Sequence, residues 1–274
     1  MGAGGVQLVL SDVDGTLLTS SQVLTAASVD AVRALHDAGV AFTVTSSRPP
    51  QGLAMLIEPL AIAAPIGAFN GGVFVDADLR VIDELPLPLD VAARTIELVD
   101  AAGVDPWLYT GTHWFVRDLD GPHVQHESRV TRYAPTATAD LIGALGDDVG
   151  APVKVVGFCE DHGRVAAAEA AIVADLGGAV SATRSQAYYV DVTDPAANKG
   201  EVVDYLARTL GIPAAAIATI GDGGNDTLMF ARSGTSIAMG NASGDVKGTA
   251  THVTATNDDD GFARAVHDLV LPTR

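Results

Sequence analysis

Cysteine is nearly missing: Cys159 is the only one in 274 residues. An intrachain disulfide is therefore impossible, and a reducing cytoplasm is the expected setting. Cys159 follows the apolar run 153–158, which predicts a core or strand-end position rather than a catalytic thiol. Cations are scarce too, with 16 Lys and Arg against 34 Asp and Glu, a formal charge of -18. Such a surface repels nucleic acid and anionic membranes, whose phosphates demand clustered cations, and no basic patch with interleaved aromatics offsets it. No apolar run approaches the ~20 residues of a membrane span. The first five residues carry no basic group, so no signal peptide is expected.

What is present is enough apolar matter for a core, 48% of the chain. At ~100–200 residues per domain, the length suits one large domain or two modest ones. The first third alternates strand and helix. Apolar runs at 6–10, 41–45 and 65–69 read as buried strands, and a helix lies between the first two, capped by Thr25 and stopped at Gly39. Strands separated by helices predict a parallel, doubly wound sheet. Runs 73–75 and 80–82 read as a hairpin, and Leu85-Pro86-Leu87-Pro88 as a stiff connector.

The rhythm then changes. A helix is expected from Asp90 to Gly103, a strand pair over 107–117, a strand over 153–158, a helix over 164–176 and a hairpin over 179–192. From about Asp191 the α/β pattern returns, with helices at 200–210, 225–232 and 260–269 and strands at 216–220 and 236–239. The expected division is a discontinuous core, residues 1–84 and 191–274, around an inserted α+β unit at 85–190.

Two acidic clusters stand at strand ends. Asp12 and Asp14 follow the first strand in Asp-Val-Asp-Gly-Thr. Asp222 and Asp226 follow the strand 216–220 in Gly-Asp-Gly-Gly-Asn-Asp. Ligands of open α/β sheets gather beyond the carboxyl ends of strands. Carboxylates brought together there repel unless a cation intervenes, and hard oxygens suit Mg²⁺. Ser46 and Ser47 end the second strand, and Lys199 opens a helix. Alone, each would be ordinary surface structure; beside the aspartates they supply the donors and charge that a phosphoryl group requires.

These four elements closely resemble the four motifs of the haloacid dehalogenase superfamily. The insert ahead of Lys199 resembles that of its C2-capped, Cof-type (class IIB) phosphatases, and the resemblance covers essentially the whole chain. It implies a Rossmann-like core with a C2-type cap, and a Mg²⁺-dependent phosphomonoester hydrolase acting on a sugar phosphate or phospho-cofactor. By the same resemblance Asp12 would be nucleophile and metal ligand. Asp14 would be general acid and base, and a metal ligand through its backbone carbonyl. Ser46 would bind the phosphoryl group, Lys199 would hold its charge and that of Asp12, and Asp222 would complete the metal ligands. Asp226 would orient Lys199 or a metal-bound water, and Asn225 would lie near the phosphate. Ser46-Ser47-Arg48 departs from the usual Thr-Gly-Arg, placing a side chain at Ser47 near the phosphate and leaving Arg48 beside the site. His113, Trp114, Arg129 and Arg132 are candidates for reading the substrate, with core packing the simplest reading of the tryptophans. A monomer or homodimer is expected. A phosphomutase and a non-catalytic sugar-phosphate sensor are the alternatives. A dinucleotide fold is disfavoured, because the glycines of 1–5 precede the first strand.

Overall fold

Apolar runs too short for helices become strands, and their order in space decides where the acidic turns meet. In the computed structural model, which describes residues 5–146 and 148–271, β1 is Leu8–Asp12, buried throughout. It is followed by β2 (Ala41–Thr45), β3 (Ile66–Ala68), β4 (Val73–Val75) and β5 (Val81–Glu84). The middle of the chain supplies β6 (Asp105–Tyr109), β7 (Trp114–Val116), β8 (Thr136–Ala137), β9 (Lys154–Phe158), β10 (Ser181–Gln186) and β11 (Tyr189–Thr193). The last third adds β12 (Ile217–Gly221), β13 (Thr235–Ala238) and β14 (His252–Val253). Residues 1–4, part of the glycine-containing start considered above, lie outside the described residues.

The strands form two sheets. One runs β14-β13-β12-β1-β2-β3-β4-β5 and the other β10-β11-β9-β6-β7-β8. The first is parallel from β14 to β3, and β4 and β5 extend it as antiparallel hairpin strands. This is the α/β, mostly parallel core that the strand–helix rhythm predicts. Helices cover both faces. On one, Val9 shares a core with Val32, Leu35 and Phe262. On the other, Leu8 and Leu10 pack against Val202, Val203 and Leu206. Each side chain buried this way stabilises the fold by about 1.5–3 kcal/mol.

The second sheet uses its two faces differently, as strand alternation permits. Leu108, Phe115, Val155 and Val190 pack with Ile96, Val99, Val165 and Ile172 of the helices Leu89–Ala101 and His162–Leu176. Trp107, Tyr109, Trp114 and Phe158 point the other way and share a core with Phe69 of the first sheet. The Phe69 and Tyr109 rings meet edge-on at 5.4 Å, so this face lies against the carboxyl end of β3.

Several boundaries shift. The expected domain boundary at 190/191 falls inside β11, which runs to Thr193. The helix expected at 225–232 is a 3-10 turn, Gly224–Asp226, followed by Thr227–Phe230. Its first turn is tightened because the Asp226 side chain folds back on the backbone N–H groups of Asp222 and Gly223. The closing helix spans Gly261–Ala265 and widens into a π turn over Val266–Val270. A helix at Val124–Thr131 has no counterpart in the sequence pattern.

Candidate active site

Adjacent parallel strands deliver the acidic turns to one place. Ser11 of β1 stands beside Ile220 of β12, so Asp12 and Asp222 leave neighbouring strands at the same end. On the other flank Asp12 pairs with Thr45 of β2, which brings Ser46 alongside. Carboxylate oxygens of Asp12, Asp222 and Asp226 lie within 4.8 Å of one another.

Asp226 is wholly buried, and both its oxygens are engaged. Oδ2 accepts from the backbone N–H groups of Asp222 and Gly223, each at 2.8 Å. Oδ1 accepts from Lys199 Nζ at 2.6 Å. Gly221 makes the approach possible, since a Cβ there would sit 2.4 Å from the Asp226 carboxyl carbon. Lys199 is the first residue of the helix Lys199–Leu210, which starts at Asn198 because that side chain accepts from Glu201 N. Its ammonium is 1% exposed and also donates to Asp12 Oδ1 at 2.6 Å.

One ammonium thus faces three carboxylates. Burial pushes the Asp12 carboxyl up to about 8, with Lys199 opposing and Asp226 and Asp222 reinforcing the rise. Burial and then Asp226 also raise Asp222. For Lys199 burial works against the charge, but Asp12 and Asp226 outweigh it and hold the amine protonated well above its usual range. Carboxylates raised together mark a place short of positive charge.

Asp222 is aimed by three neighbours. Asn241 Nδ2 donates to its Oδ2 at 3.0 Å and Thr16 Oγ1 to its Oδ1 at 3.3 Å. Gly15 turns at φ +80, and a Cβ there would lie 2.3 Å from Asp222 Oδ2. Gly15→Ala is therefore expected to push Asp222 aside. A misplacement of about 1 Å can cost roughly 100-fold in rate, so kcat/KM should fall by about that factor while the circular dichroism spectrum stays native. An unchanged kcat/KM would show that the position of Asp222 is unimportant.

A family model described as haloacid dehalogenase-like hydrolase matches residues 9–266. The chain belongs to the haloacid dehalogenase-like hydrolases. It is 27% identical over 256 residues to a Haemophilus influenzae chain provisionally named a phosphatase, covering 93% of this chain and 95% of that one. It is 27% identical over 263 residues to a Bacillus subtilis phosphatase named for 5-amino-6-(5-phospho-D-ribitylamino)uracil, YitU, with 94% and 95% covered. A crystal structure of a haloacid dehalogenase-like hydrolase from Bacteroides thetaiotaomicron superposes with a TM-score of 0.87 at 26% identity, covering 96% of this chain and 98% of that one. The resemblance drawn from the motifs is borne out, and the protein is an enzyme, a phosphatase of the haloacid dehalogenase type.

In this hydrolase Asp14 is not part of the group of three carboxylates. Arg48 grips it at both oxygens, Nε to Oδ2 at 2.8 Å and Nη2 to Oδ1 at 2.6 Å. Arg48 is 7% exposed and is itself braced by Gln22 Oε1 and by Gly52 O at 3.3 Å. The Ser46 hydroxyl accepts from Arg48 N at 3.1 Å, so it is engaged within its own loop. Ser47 is half-buried beside it. Asn225 Nδ2 donates to Asn70 Oδ1 at 3.1 Å, joining the turn after β12 to the turn after β3.

Among the candidates in the middle of the chain, Trp114 is core, stacked on Tyr109 at 5.5 Å. His113 stacks on Phe115, and its Nδ1 meets Thr112 Oγ1 at 2.9 Å, neither of them a site group. Arg129 and Arg132 line a cavity with Arg48. Residues the sequence reading missed include Asn241, which follows β13 and obeys the strand-end rule that found the aspartates. It also missed Lys154 and Asp191, paired at 2.8 Å on the inward face of the second sheet, with Lys154 Nζ 5.6 Å from the Phe69 ring. Glu127, raised by burial, accepts from Tyr189 OH on that same face.

Proposed function

We propose that this phosphatase is a Mg²⁺-dependent phosphomonoester hydrolase that forms a phosphoaspartate at Asp12. The observation that carries the reading is the buried Lys199 ammonium held at 2.6 Å from both Asp12 and Asp226, beside Asp222. Such a group has one evident task, to keep Asp12 anionic and to meet the charge of an arriving phosphoryl group. The donor set fits a hard divalent cation, because Asp226 is saturated by its own hydrogen bonds and Asp12 and Asp222 are left short of positive charge. Asp12 and Asp222, with the Asp14 backbone carbonyl, would hold Mg²⁺, which supplies positive charge to the non-bridging phosphoryl oxygens.

The residues act in two steps. A carboxylate oxygen of Asp12 attacks phosphorus in line, the P–O bond to the alcohol breaks, and Asp14 gives a proton to the departing oxygen. Asp14 then takes a proton from water as that water attacks the phosphoaspartate, releasing phosphate and restoring Asp12. Arg48 holds Asp14 at both oxygens while the Asp14 side chain stays 40% exposed, so one oxygen has to leave the guanidinium before it can carry the proton. Ser46 and Asn225 border the phosphoryl group, and Asp226 orients Lys199. The unit 85–193, whose second sheet lies over Phe69, serves as a cap that excludes water.

The substrate is a small phosphorylated metabolite. Relatives named for a phosphoribitylamino-uracil support that reading, and the chain's charge disfavours nucleic acid. The single cysteine supports a cytoplasmic setting, and no helix among the described residues is long and apolar enough to cross a membrane. The test is phosphate release across a metabolite panel before and after removal of divalent ions. Chelation should lower kcat/KM by at least roughly 100-fold, since a metal supplies several kcal/mol to the transition state, and added Mg²⁺ should restore it. Full activity in chelator would overturn the metal. An isomerised product without free phosphate would point to a mutase.

A further inference from the structure

Arg48, the partner of Asp14, also lines a cavity of about 240 Å³. Its walls come from both sheets' connections. Gln22 and Arg48 belong to loops of the first sheet and Met55 to the short helix Ala54–Ile57, while His126, Arg129 and Arg132 come from the helix Val124–Thr131 and its end. The lining holds three guanidinium groups and an imidazole but no carboxylate. That is unusual on a chain of charge -18. Most other arginines find an acid within 4 Å, whereas Arg129 and Arg132 form no ion pair among the described residues.

Position gives the cluster its meaning. Arg48 is shared, for the guanidinium that grips Asp14 also forms the wall of the cavity. In the proposed mechanism Asp14 protonates the departing oxygen. A leaving group that extends from that oxygen toward Arg48 would meet Arg129 and Arg132 next, since all three line the one cavity. The volume is below the roughly 300–1,000 Å³ of pockets that take a whole ligand, and suits one end of a small metabolite. Forked guanidinium donors match phosphate and carboxylate oxygens.

We propose that this cavity is a subsite for a second anionic group, phosphate or carboxylate, carried on the leaving-group side of the substrate. The substrates are then phosphomonoesters of alcohols that bear a further negative charge, such as bisphosphates or phosphorylated hydroxy acids. This rests on the phosphatase reading above. The competing account is that Arg129 and Arg132 merely sit near a helix carboxyl terminus, where cations are favoured by the helix dipole.

The test compares a hexose bisphosphate, a phosphorylated hydroxy acid, a hexose monophosphate and p-nitrophenyl phosphate, using wild type and the Arg129→Gln/Arg132→Gln double variant. Both arginines are exposed, so the variant should fold. Wild type should favour one of the two doubly anionic substrates, and which one it favours distinguishes phosphate from carboxylate. The double variant should lose roughly 10–100-fold on that substrate, almost all in KM, because charge-assisted hydrogen bonds are lost. Its activity on p-nitrophenyl phosphate should not change. Equal kinetics of the two proteins on all four compounds would leave only the helix-end role. If no compound turns over, calorimetry on the Asp12→Asn protein still decides: tighter binding of the bisphosphate than the monophosphate, abolished by the double substitution, is required. Equal binding of the two ligands would overturn the subsite, whatever becomes of the hydrolase reading.

Discussion

Asp12→Asn should leave a folded protein with no measurable turnover. Asparagine has nearly the same shape, and its carbonyl can still accept from Lys199, so the packing around β1 should persist. What disappears is the proposed nucleophile, because an amide oxygen cannot form the acyl phosphate. Losing an attacking group costs roughly 10⁴-fold or more where the covalent route dominates. The structural cost should be small, since burial already disfavours the Asp12 charge and Asp226 continues to pair with the lysine. Phosphate release in single-turnover assays and the thermal midpoint, measured together, check both halves. Wild-type turnover in the asparagine protein would exclude a phosphoaspartate. Acid-quenched wild type, digested and weighed by mass spectrometry, should carry a labile phosphate on the peptide containing Asp12.

Lys199→Met should be worse, because it damages fold and chemistry together. Methionine fills much of the same volume, but it removes the single ammonium between Asp12 and Asp226. Two buried carboxylates would then face each other uncompensated. Removing one partner from a buried ion pair costs about 3–5 kcal/mol, which for a protein of this size lowers the melting midpoint by on the order of 10 °C. Turnover should fall at least roughly 10³-fold through loss of transition-state charge stabilisation. A second substitution separates the effects. Lys199→Met/Asp226→Asn should regain part of the lost stability in urea denaturation while staying inactive. A Lys199→Met protein as stable as wild type would mean that Asp12 and Asp226 tolerate each other without the lysine.

The same two residues show how unevenly the molecule could be read in advance. Asp12 and Asp222 were legible because each ends an apolar run, and a parallel sheet gathers strand ends at one edge. Lys199 was legible as a helix start, but its burial was not, since nothing in Asn-Lys-Gly says that the chain folds the amine inward. The engagement of Ser46 with its own loop depends on backbone angles that residue type does not encode. Helix 124–131 escaped notice because only Val124 and Thr131 of its residues are buried, leaving no apolar period. Lys154 was hidden inside a run that looked wholly apolar. It tolerates that place because Asp191 reaches it from the adjacent strand β11. Asn241 looked like any polar turn residue, and its contacts with Asp222 and Gly15 distinguish it.

The order β12-β1-β2 has a consequence for how the protein is born. β1, Leu8–Asp12, leaves the ribosome long before its neighbour β12, Ile217–Gly221. Leu8 waits for Ile217. The second sheet, by contrast, draws all its strands from one unbroken stretch, Asp105 to Thr193, and can close while synthesis continues. Nascent chains thus hold an unfinished β1 until β12 has been made, and a product truncated before Asp222 carries Asp12 but cannot assemble the pocket around it.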